Sequence, residues 1–482
     1  MLELASLLTN PNLSETDKKL IEKAYHFAKE AHKDQKRFSG EPYFLHLYST
    51  ALILSELRMD AEVIAAGLLH DSVEDVGVTS EQLSKEFSPD IAFLVDGVTK
   101  LGALKYRGND KLAENLRKLF VAMAQDIRVI VIKLADRLHN IRTLEHVRAE
   151  KQHRIALETL EIYAPIANRL GIGKIRDELE ARSFRYAHPD EYTLTQMLLE
   201  EKAPLREKSL RDMSGLLEEA FKESDIQNAD VSYRTKGVYS LYKKLAKNDM
   251  NIDKVCDIAA MRIIVPTVAD CYSALGIVHS LWKPVPERVK DYIALPKING
   301  YQSIHTSVFA GDGEIAEIQI RTREMHDEAE YGIAAHIAYR ESGKPKTGGV
   351  LSKKLAWVRQ LIEWQKQFAE GNEFIEGLKT DFFQDRIFCF TPKGDVIELP
   401  EGATTLDFAY AIHSDIGNHT SGAKINGKMV SLDSSLKNGD VVVIETRKNA
   451  KPSTKWLEAC KTALARRHIR SYLNDQKDQA RP

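Results

Sequence analysis

Cysteine is scarce in this chain: four residues in 482, at positions 256, 271, 389 and 460, none forming a Cys-x-x-Cys pair. That spacing excludes a disulfide framework and a zinc–thiolate knot. No apolar run approaches the roughly 20 residues that a membrane helix needs. The N-terminal stretch MLELASLLTNPNLSETDKK has neither the basic start nor the long apolar core of a signal peptide. A soluble, cytoplasmic protein with no membrane partner is expected. Neither sign of charge dominates, because 68 Lys and Arg against 70 Asp and Glu leave a net charge of −2. Affinity for nucleic acid therefore cannot come from global electrostatics, only from local patches. The hydrophobic fraction of 43% is enough for ordinary cores, and the length suggests roughly three domains.

The most informative stretch is AAGLLHDSVEDVG, residues 65–77. It reads as a helix end with Ala66, Leu69 and Val73 as an apolar stripe. Residues four apart share a face, so His70 sits over Glu74 and Asp71 over Asp75. A potential metal pair is thus stacked beneath a potential acid/base pair. Upstream, FSGEPYFLHLYST carries His46. Downstream, VIKLADRLHNIRT carries Asp136 on a helix whose buried stripe is Leu134, Leu138 and Ile141. Two imidazoles and two carboxylates would suit Mn²⁺, Fe²⁺ or Zn²⁺, with a water as nucleophile completing the shell. A lone His-Asp doublet is more often a satisfied polar pair at a helix end; the joint pattern is the specific signal.

The chain reads as a multidomain α+β protein. Residues 1–141 are helical and hold the candidate metal site, and 142–225 form a helical linker with no catalytic motif. At about 226 the composition changes. DIQNADVSYRTK, AAMRIIVP, SIHTSVFA and EIAEIQIR have the short β-branched character of strands. VYSLYKKLAK and VADCYSALGIVHSLW lie between them as helices, which gives a mixed α/β domain over 226–340. RESGKPKTGG is a connector, and residues 341–383 include an amphipathic helix with Leu355, Trp357, Leu361 and Trp364. A small β-rich unit spans 384–447, its strands separated by PKG, NGK and NGD turns, with one helix around TTLDFAYAIHS. Residues 448–482 end in a helix with a basic face, WLEACKTALARRHIRSYL.

The α/β domain carries a second dense set of charges. Arg234 and Lys236 share a strand face, and Ser240, Lys243 and Lys244 follow at a helix start, where polyphosphate is favoured. A solvated amphipathic surface would read the same way. In EIAEIQIRT, Glu317, Gln319 and Arg321 point to one face and Ile318 and Ile320 to the other. That pattern fits a metal-nucleotide site, and it also fits an exposed edge strand.

Taken together, RFSGEPY, HDSVED and KLADRLHN resemble the HD-domain phosphohydrolases, and within them the RelA/SpoT-homologue family, which makes and degrades (p)ppGpp. The resemblance implies an all-α HD hydrolase domain in which His46, His70, Asp71 and Asp136 ligate Mn²⁺. It makes Glu74 and Asp75 the acid/base pair. Arg37, with Lys36, would meet phosphates, and Asn140 and Thr143 would hold sugar and phosphate. The run RVKDYIALPKINGYQSIHTSV resembles the family's G-loop, which implies a nucleotidyltransferase-like synthetase domain. There Tyr301 would stack on guanine, Asn299 and Gly300 supply the turn, Lys290 and Lys297 meet phosphates, and Gln302 and His305 lie nearby. DIAAMRIIV matches the family's Mg²⁺-binding aspartate as Asp257 and its adenine-stacking arginine as Arg262. Arg234 would close on the other adenine face. Lys236, Ser240, Lys244 and Gln319 complete the nucleotide contacts.

Asp257 and Arg262 are five apart, so on one straight strand they would face opposite sides; the aspartate must precede the strand. The implied reaction moves the β,γ-pyrophosphoryl group of ATP to the 3′-hydroxyl of GDP or GTP. Asp257 and Glu317 would hold Mg²⁺, with Glu317 as general base. The tetrad Arg288-Val289-Lys290-Asp291 matches the RxKD of bifunctional members, so both activities are expected. EMHDEAEYGIAAHIAYR also matches, without a role for His326 or Glu330. The 384–447 unit resembles a TGS domain, a β-grasp fold. In the family it contacts the 3′ end of uncharged tRNA on the ribosome, which implies a tRNA contact for helix-borne His413. Long members continue into further regulatory domains, so the chain is expected to be a truncated member in which ribosome-dependent control is in doubt. The linker is expected to switch between the two sites. The alternatives are a single competent site, or an RNA-binding stress adaptor.

Overall fold

The computed structural model describes residues 2–10, 13–102, 109–224, 226, 228–255, 258–297, 299–310, 314–335, 357–358, 361–362 and 371–479. The chain divides into two compact units. One comprises residues 1–103 and 122–356, the other 104–121 and 357–482.

The first unit begins with helices. α1 (Glu15–Ala31) starts at a capping box, in which the Ser14 hydroxyl and the Asp17 carboxylate each satisfy a backbone N–H of the other. α2 (Phe44–Glu56) is apolar almost all round, and it is buried accordingly, with Leu47, Ala51 and Leu54 fully covered. α3 (Ala61–Leu69) opens at the Asp60 cap and packs on both α1 and α2. The expected single helix over 65–77 is broken. α3 ends at Leu69 and α4 (Ser72–Val76) begins three residues later, so His70 and Asp71 form the joint. Asp71, at ψ −1°, turns the chain there. The one-turn relation of Asp71 to Asp75 survives in a 2.9 Å backbone hydrogen bond, whereas His70 is buried and Glu74 exposed. α5 (Ile127–Arg142) buries the stripe Leu134, Leu138 and Ile141 as expected, and packs on α2.

The linker contributes α6 (Gly173–Ala187) and the long α7 (Pro189–Lys222). A five-stranded sheet follows, built from β1 (Asp230–Thr235), β2 (Ala259–Val265), β3 (Lys290–Asp291), β4 (Ile304–Phe309) and β5 (Ile315–Thr322). Its order is β1-β2-β5-β4-β3, with only β2 and β5 parallel. β5 is therefore the central strand, which removes the edge-strand reading of Glu317, Gln319 and Arg321. α8 (Val238–Lys247) leaves β1, α9 (Val268–Leu281) leaves β2, and α10 (Arg323–Tyr331) leaves β5. One face of the sheet packs on α7 and α9 through Leu217, Val278, Met261, Ile263, Ile318 and Ile320. The alternation of β2 and β5 leaves the other face to polar residues.

The linker meets this half through bare backbone. A Cβ on Gly332, which stands at φ +56°, would lie 2.3 Å from the Leu170 carbonyl oxygen, and one on Gly173 would lie 2.4 Å from that of Ala329. Only glycine permits so close an approach.

In the second unit, Trp357 and Leu361 of the expected amphipathic helix are helical and buried. Leu355, Trp364 and the RESGKPKTGG connector lie outside the described residues. β6 (Arg386–Phe390) pairs with β7 (Val396–Pro400). After α11 (Thr405–Ile412) and α12 (Ser414–Asn418) come β8 (Thr420–Ile425), β9 (Lys428–Val430) and β10 (Val442–Thr446), in the order β10-β8-β9. The terminal helix is two helices, α13 (Thr454–Ala459) and α14 (Ala463–Gln479). Distant carboxylates cause the break. Asp407 accepts from the N–H of Lys461 (3.1 Å) and Thr462 (2.9 Å), and Asp381 from those of Ala463 (2.9 Å) and Leu464 (3.2 Å). These are the orphan donors of a helix start.

Candidate active sites

His46 stands in the first turn of α2, His70 and Asp71 at the α3–α4 joint, and Asp136 in the middle of α5. Packing of these helices brings the four side chains together. His46 Nε2 lies 3.3 Å from Asp136 Oδ1 and 3.6 Å from Asp71 Oδ2. His70 Nε2 lies 3.3 Å from Asp71 Oδ2 and 3.9 Å from Asp136 Oδ1. One ligand atom from each of His46, His70 and Asp136 falls within 4.8 Å of the others, and all three residues are buried. His70 donates through Nδ1 to the Gly67 carbonyl (2.8 Å), which leaves a lone pair on Nε2. That nitrogen is buried and has no hydrogen-bond partner. A buried acceptor left unpaired beside two carboxylates is what a divalent metal would satisfy. The mixed N/O donor set fits such an ion.

The carboxylates are held in place. Asp136 accepts from Lys133 Nζ (2.6 Å) and Asn140 Nδ2 (2.6 Å), and Asp71 accepts from the Tyr43 hydroxyl (2.7 Å). Burial opposes charge on Asp136, yet the Lys133 ammonium beside it holds it well below the usual carboxylate range. Tyr43 also interacts with the side chain of Asp75, which ties that exposed residue to the ligand cluster. Glu74 is exposed on α4. Arg37 donates to Asn140 Oδ1 (2.6 Å), Thr143 Oγ1 (3.2 Å) and His139 Nδ1 (3.1 Å). Neither Tyr43 nor His139 was singled out from sequence, although both stand inside the quoted motifs.

The second site lies on the polar face of the sheet. Register places His305 on β4 opposite Gln319 on β5, and Arg262 on β2 opposite Gln319 from the other side. Glu317 accepts from Gln319 Nε2 (3.0 Å) and lies 3.3 Å from His305 Nδ1. The other nitrogen of His305 faces the Tyr301 hydroxyl at 2.8 Å. Against the burial that would raise it, the His305 hydrogen bond helps hold Glu317 down at about 2. The Asn299 side chain accepts from the Tyr301 N–H (3.2 Å) and donates to the Asn168 carbonyl of the linker (3.1 Å). Gln302 donates to the Ile293 carbonyl (3.3 Å). The Lys297 ammonium lies over the Tyr292 ring at 4.9 Å and the Tyr301 ring at 5.7 Å.

Cations lie close to one another here. Burial, then the neighbouring Lys236, pushes Lys244 down to about 7, and Lys290 adds to the effect. Lys243 and Lys244 sit inside α8, whose first residue is Val238, and not at its start. Lys236 follows the last residue of β1, its N–H bonded to the Ile258 carbonyl (2.8 Å). Asp257 lies outside the described residues; β2 begins at Ala259, after it.

His326 and Glu330, which had no role from sequence, hold the arginines. Arg321, only 2% exposed, donates to His326 Nδ1 (2.7 Å), and Glu330 lies 3.8 Å from Arg262 and 3.9 Å from Arg321. The linker is also part of the site. Asp177 on α6 pairs with Arg234, and Glu180 accepts from Lys243 (2.8 Å) and Ser240 (3.5 Å). Glu178, beside them, pairs with Arg142 of α5 at 2.6 Å.

His413 is not borne on a helix. It is the cap before α12, its Nδ1 accepting from the Asp415 N–H (3.2 Å).

Three family models match the chain: the HD domain over residues 24–173, the region found in RelA / SpoT proteins over 233–344, and the TGS domain over 387–446. Among curated proteins, the GTP pyrophosphokinase of Myxococcus xanthus is 50% identical over 467 residues, 95% of this chain and 61% of that protein. A probable guanosine-3′,5′-bis(diphosphate) 3′-pyrophosphohydrolase of Synechocystis is 47% identical, over 94% of this chain and 60% of its own length. The guanosine-3′,5′-bis(diphosphate) 3′-pyrophosphohydrolase of Aquifex aeolicus is also 47% identical, over 95% and 65%. The chain thus spans about three fifths of the length of these relatives.

Proposed function

Because this chain belongs to the RelA/SpoT family, we propose that it is a bifunctional enzyme of the stringent response, making (p)ppGpp at one site and degrading it at the other. The observation that carries the hydrolytic half is the buried, unpartnered Nε2 of His70 facing Asp71 and Asp136.

In that half, His46, His70, Asp71 and Asp136 hold Mn²⁺. The ion, when bound, supplies Lewis acidity toward water and a phosphoryl oxygen. Asp75 and Glu74, exposed beside the ligands, take the proton from water and return one to the departing 3′-oxygen. Arg37 meets the pyrophosphate, leaving GDP or GTP as the other product.

In the synthetic half, Tyr301 carries the acceptor guanine, and Arg234 and Arg262 sandwich the adenine of ATP. Lys236, Ser240, Lys244, Lys290 and Lys297 meet phosphates, and Asn299, Gln302, His305 and Gln319 shape the loop and strand around them. Glu317, with Asp257, holds Mg²⁺, which spreads the charge of the transferring group. Glu317 also takes the 3′-hydroxyl proton. A carboxylate held near 2 is a poor base at rest.

Control runs through α6. Asp177 occupies Arg234 while Glu178 engages the helix that carries Asp136, so ATP competes with a linker whose next residue braces the other site. The TGS unit takes uncharged tRNA on the ribosome, with His413 as a contact, and the enzyme works in the cytoplasm. Among the described residues, no helix is long and apolar enough to cross a membrane.

The deciding experiment follows release of GDP and pyrophosphate from ppGpp with Mn²⁺ and after chelation. Metal-dependent release is expected, and release that ignores chelation would refute the metal site. Adding a non-hydrolysable ATP analogue with GDP should slow that release; no change would remove the α6 coupling.

A further inference from the structure

We infer that His139 is a positioning residue of the hydrolytic site, whose Nδ1 fixes the tautomer of His46 so that His46 presents a lone pair from Nε2. The inference rests on reading that cluster as a metal centre.

A guanidinium can only donate. Arg37 Nη1 lies 3.1 Å from His139 Nδ1, so that nitrogen carries a lone pair and no proton. His46 Nδ1 lies 2.8 Å from the same atom. Two nitrogens at that distance share one proton, and with His139 Nδ1 already an acceptor the proton belongs to His46. Neutral imidazole has one N–H, so the lone pair of His46 is on Nε2. That is the atom facing Asp136 at 3.3 Å and Asp71 at 3.6 Å. Arg37 is itself fixed by Asn140 and Thr143, and Asn140 also donates to Asp136.

The two histidine ligands are therefore oriented differently. His70 uses a backbone carbonyl, that of Gly67, which no side-chain substitution removes. His46 uses an imidazole, which a substitution can remove. A neutral acceptor adds no charge to a pocket that already holds two carboxylates.

The test is Mn²⁺ binding to the full chain, read as free Mn²⁺ by electron paramagnetic resonance, with thermal unfolding as the control for folding. His139→Gln carries its polar atoms at the Nε2 position and empties the Nδ1 position; it should weaken binding roughly 10–100-fold. His139→Asn restores an acceptor where Nδ1 stood and should bind close to wild type. Arg37→Met frees His139 to change tautomer and should weaken binding in the same direction by less, which keeps the test open should His139→Gln not fold. Equal affinities for the Gln and Asn variants, whether both retained or both lost, overturn the positioning role. His46→Ala separates the two levels of the argument. If it binds Mn²⁺ as tightly as wild type, or wild type binds none, the metal-centre reading falls and this inference with it.

Discussion

The two sites of the first unit solve opposite electrostatic problems. In the hydrolytic pocket two carboxylates face two imidazoles and Lys133, and His70 Nε2 is buried without a hydrogen-bond partner. With neutral imidazoles that pocket carries more negative than positive charge, which suits a cation. On the synthetic face, Arg262 and Arg321 each bury an Nε with no partner, and Lys236 and Lys244 are both pushed down. Among the described residues that cleft crowds cations together, which favours a polyanion. The sites nevertheless share a device. Each rests an arginine on a neutral histidine: Arg37 on His139, held down at about 3, and Arg321 on His326, held down at about 4, in both cases by burial first. In each pair the imidazole gives the guanidinium an uncharged acceptor.

The contrast breaks most visibly if the sites are not separable. Asp71→Ala should abolish ppGpp hydrolysis and spare synthesis, and Glu317→Gln should do the reverse, each loss roughly 10²–10⁴-fold as for removal of a general base or its equivalent. Parallel assays of both activities decide it, and loss of both in a folded variant would refute two independent centres. Tyr301→Ala should raise KM for GDP about 5–100-fold, the range for a lost base–aromatic stack, with hydrolysis unchanged; an unaltered KM removes Tyr301 from guanine binding.

The crowding of cations in the cleft is testable by pH. Lys244 in the folded chain titrates at about 7 against an ordinary 10.5. Between those values the unfolded chain binds more protons than the folded one, so this group makes stability rise with pH across that window. Polyphosphate favours the charged ammonium, so the sign for binding is opposite. Affinity for a non-hydrolysable ATP analogue should fall by several-fold from pH 6.5 to 8.5, with tenfold per unit as the ceiling for one proton. The same titration on Lys244→Met should be flatter; identical slopes would show the cleft to be unstrained. The smallest effect is a gain. Asp177→Ala frees half-exposed Arg234 and should lower KM for ATP by about 2–5-fold, the worth of a partly exposed ion pair.

What the sequence disclosed divides along the same line. His46, His70, Asp71 and Asp136 were legible because each stands in a short run with a distinctive neighbour pattern, and so were the alternating faces of β5. His139 stood in one of those runs and was passed over, since its partner His46 is far away in sequence and only the packing of α2 on α5 joins them. Asp177, Glu178 and Glu180 were invisible for a different reason. In a charged helix they look like any solvated face, and nothing local marks which carboxylate will meet Arg234. The helix breaks follow the same rule. Residues 460–462 have ordinary helix-forming neighbours, and the break is imposed by Asp407 and Asp381 from elsewhere in the chain.

The close approach of Gly332 and Gly173 to the carbonyls of Leu170 and Ala329 bears on how the linker parts from the synthetic half. Peptide planes meet there without side chains, so forming or breaking the contact freezes or frees no rotamers. Beside that backbone contact the linker is held by the Asn299–Asn168 hydrogen bond and by two ion pairs, Asp177 with Arg234 and Glu180 with Lys243. Such pairs weaken as counterions accumulate. On the proposed function, the balance between making and degrading the nucleotide is therefore expected to shift with ionic strength.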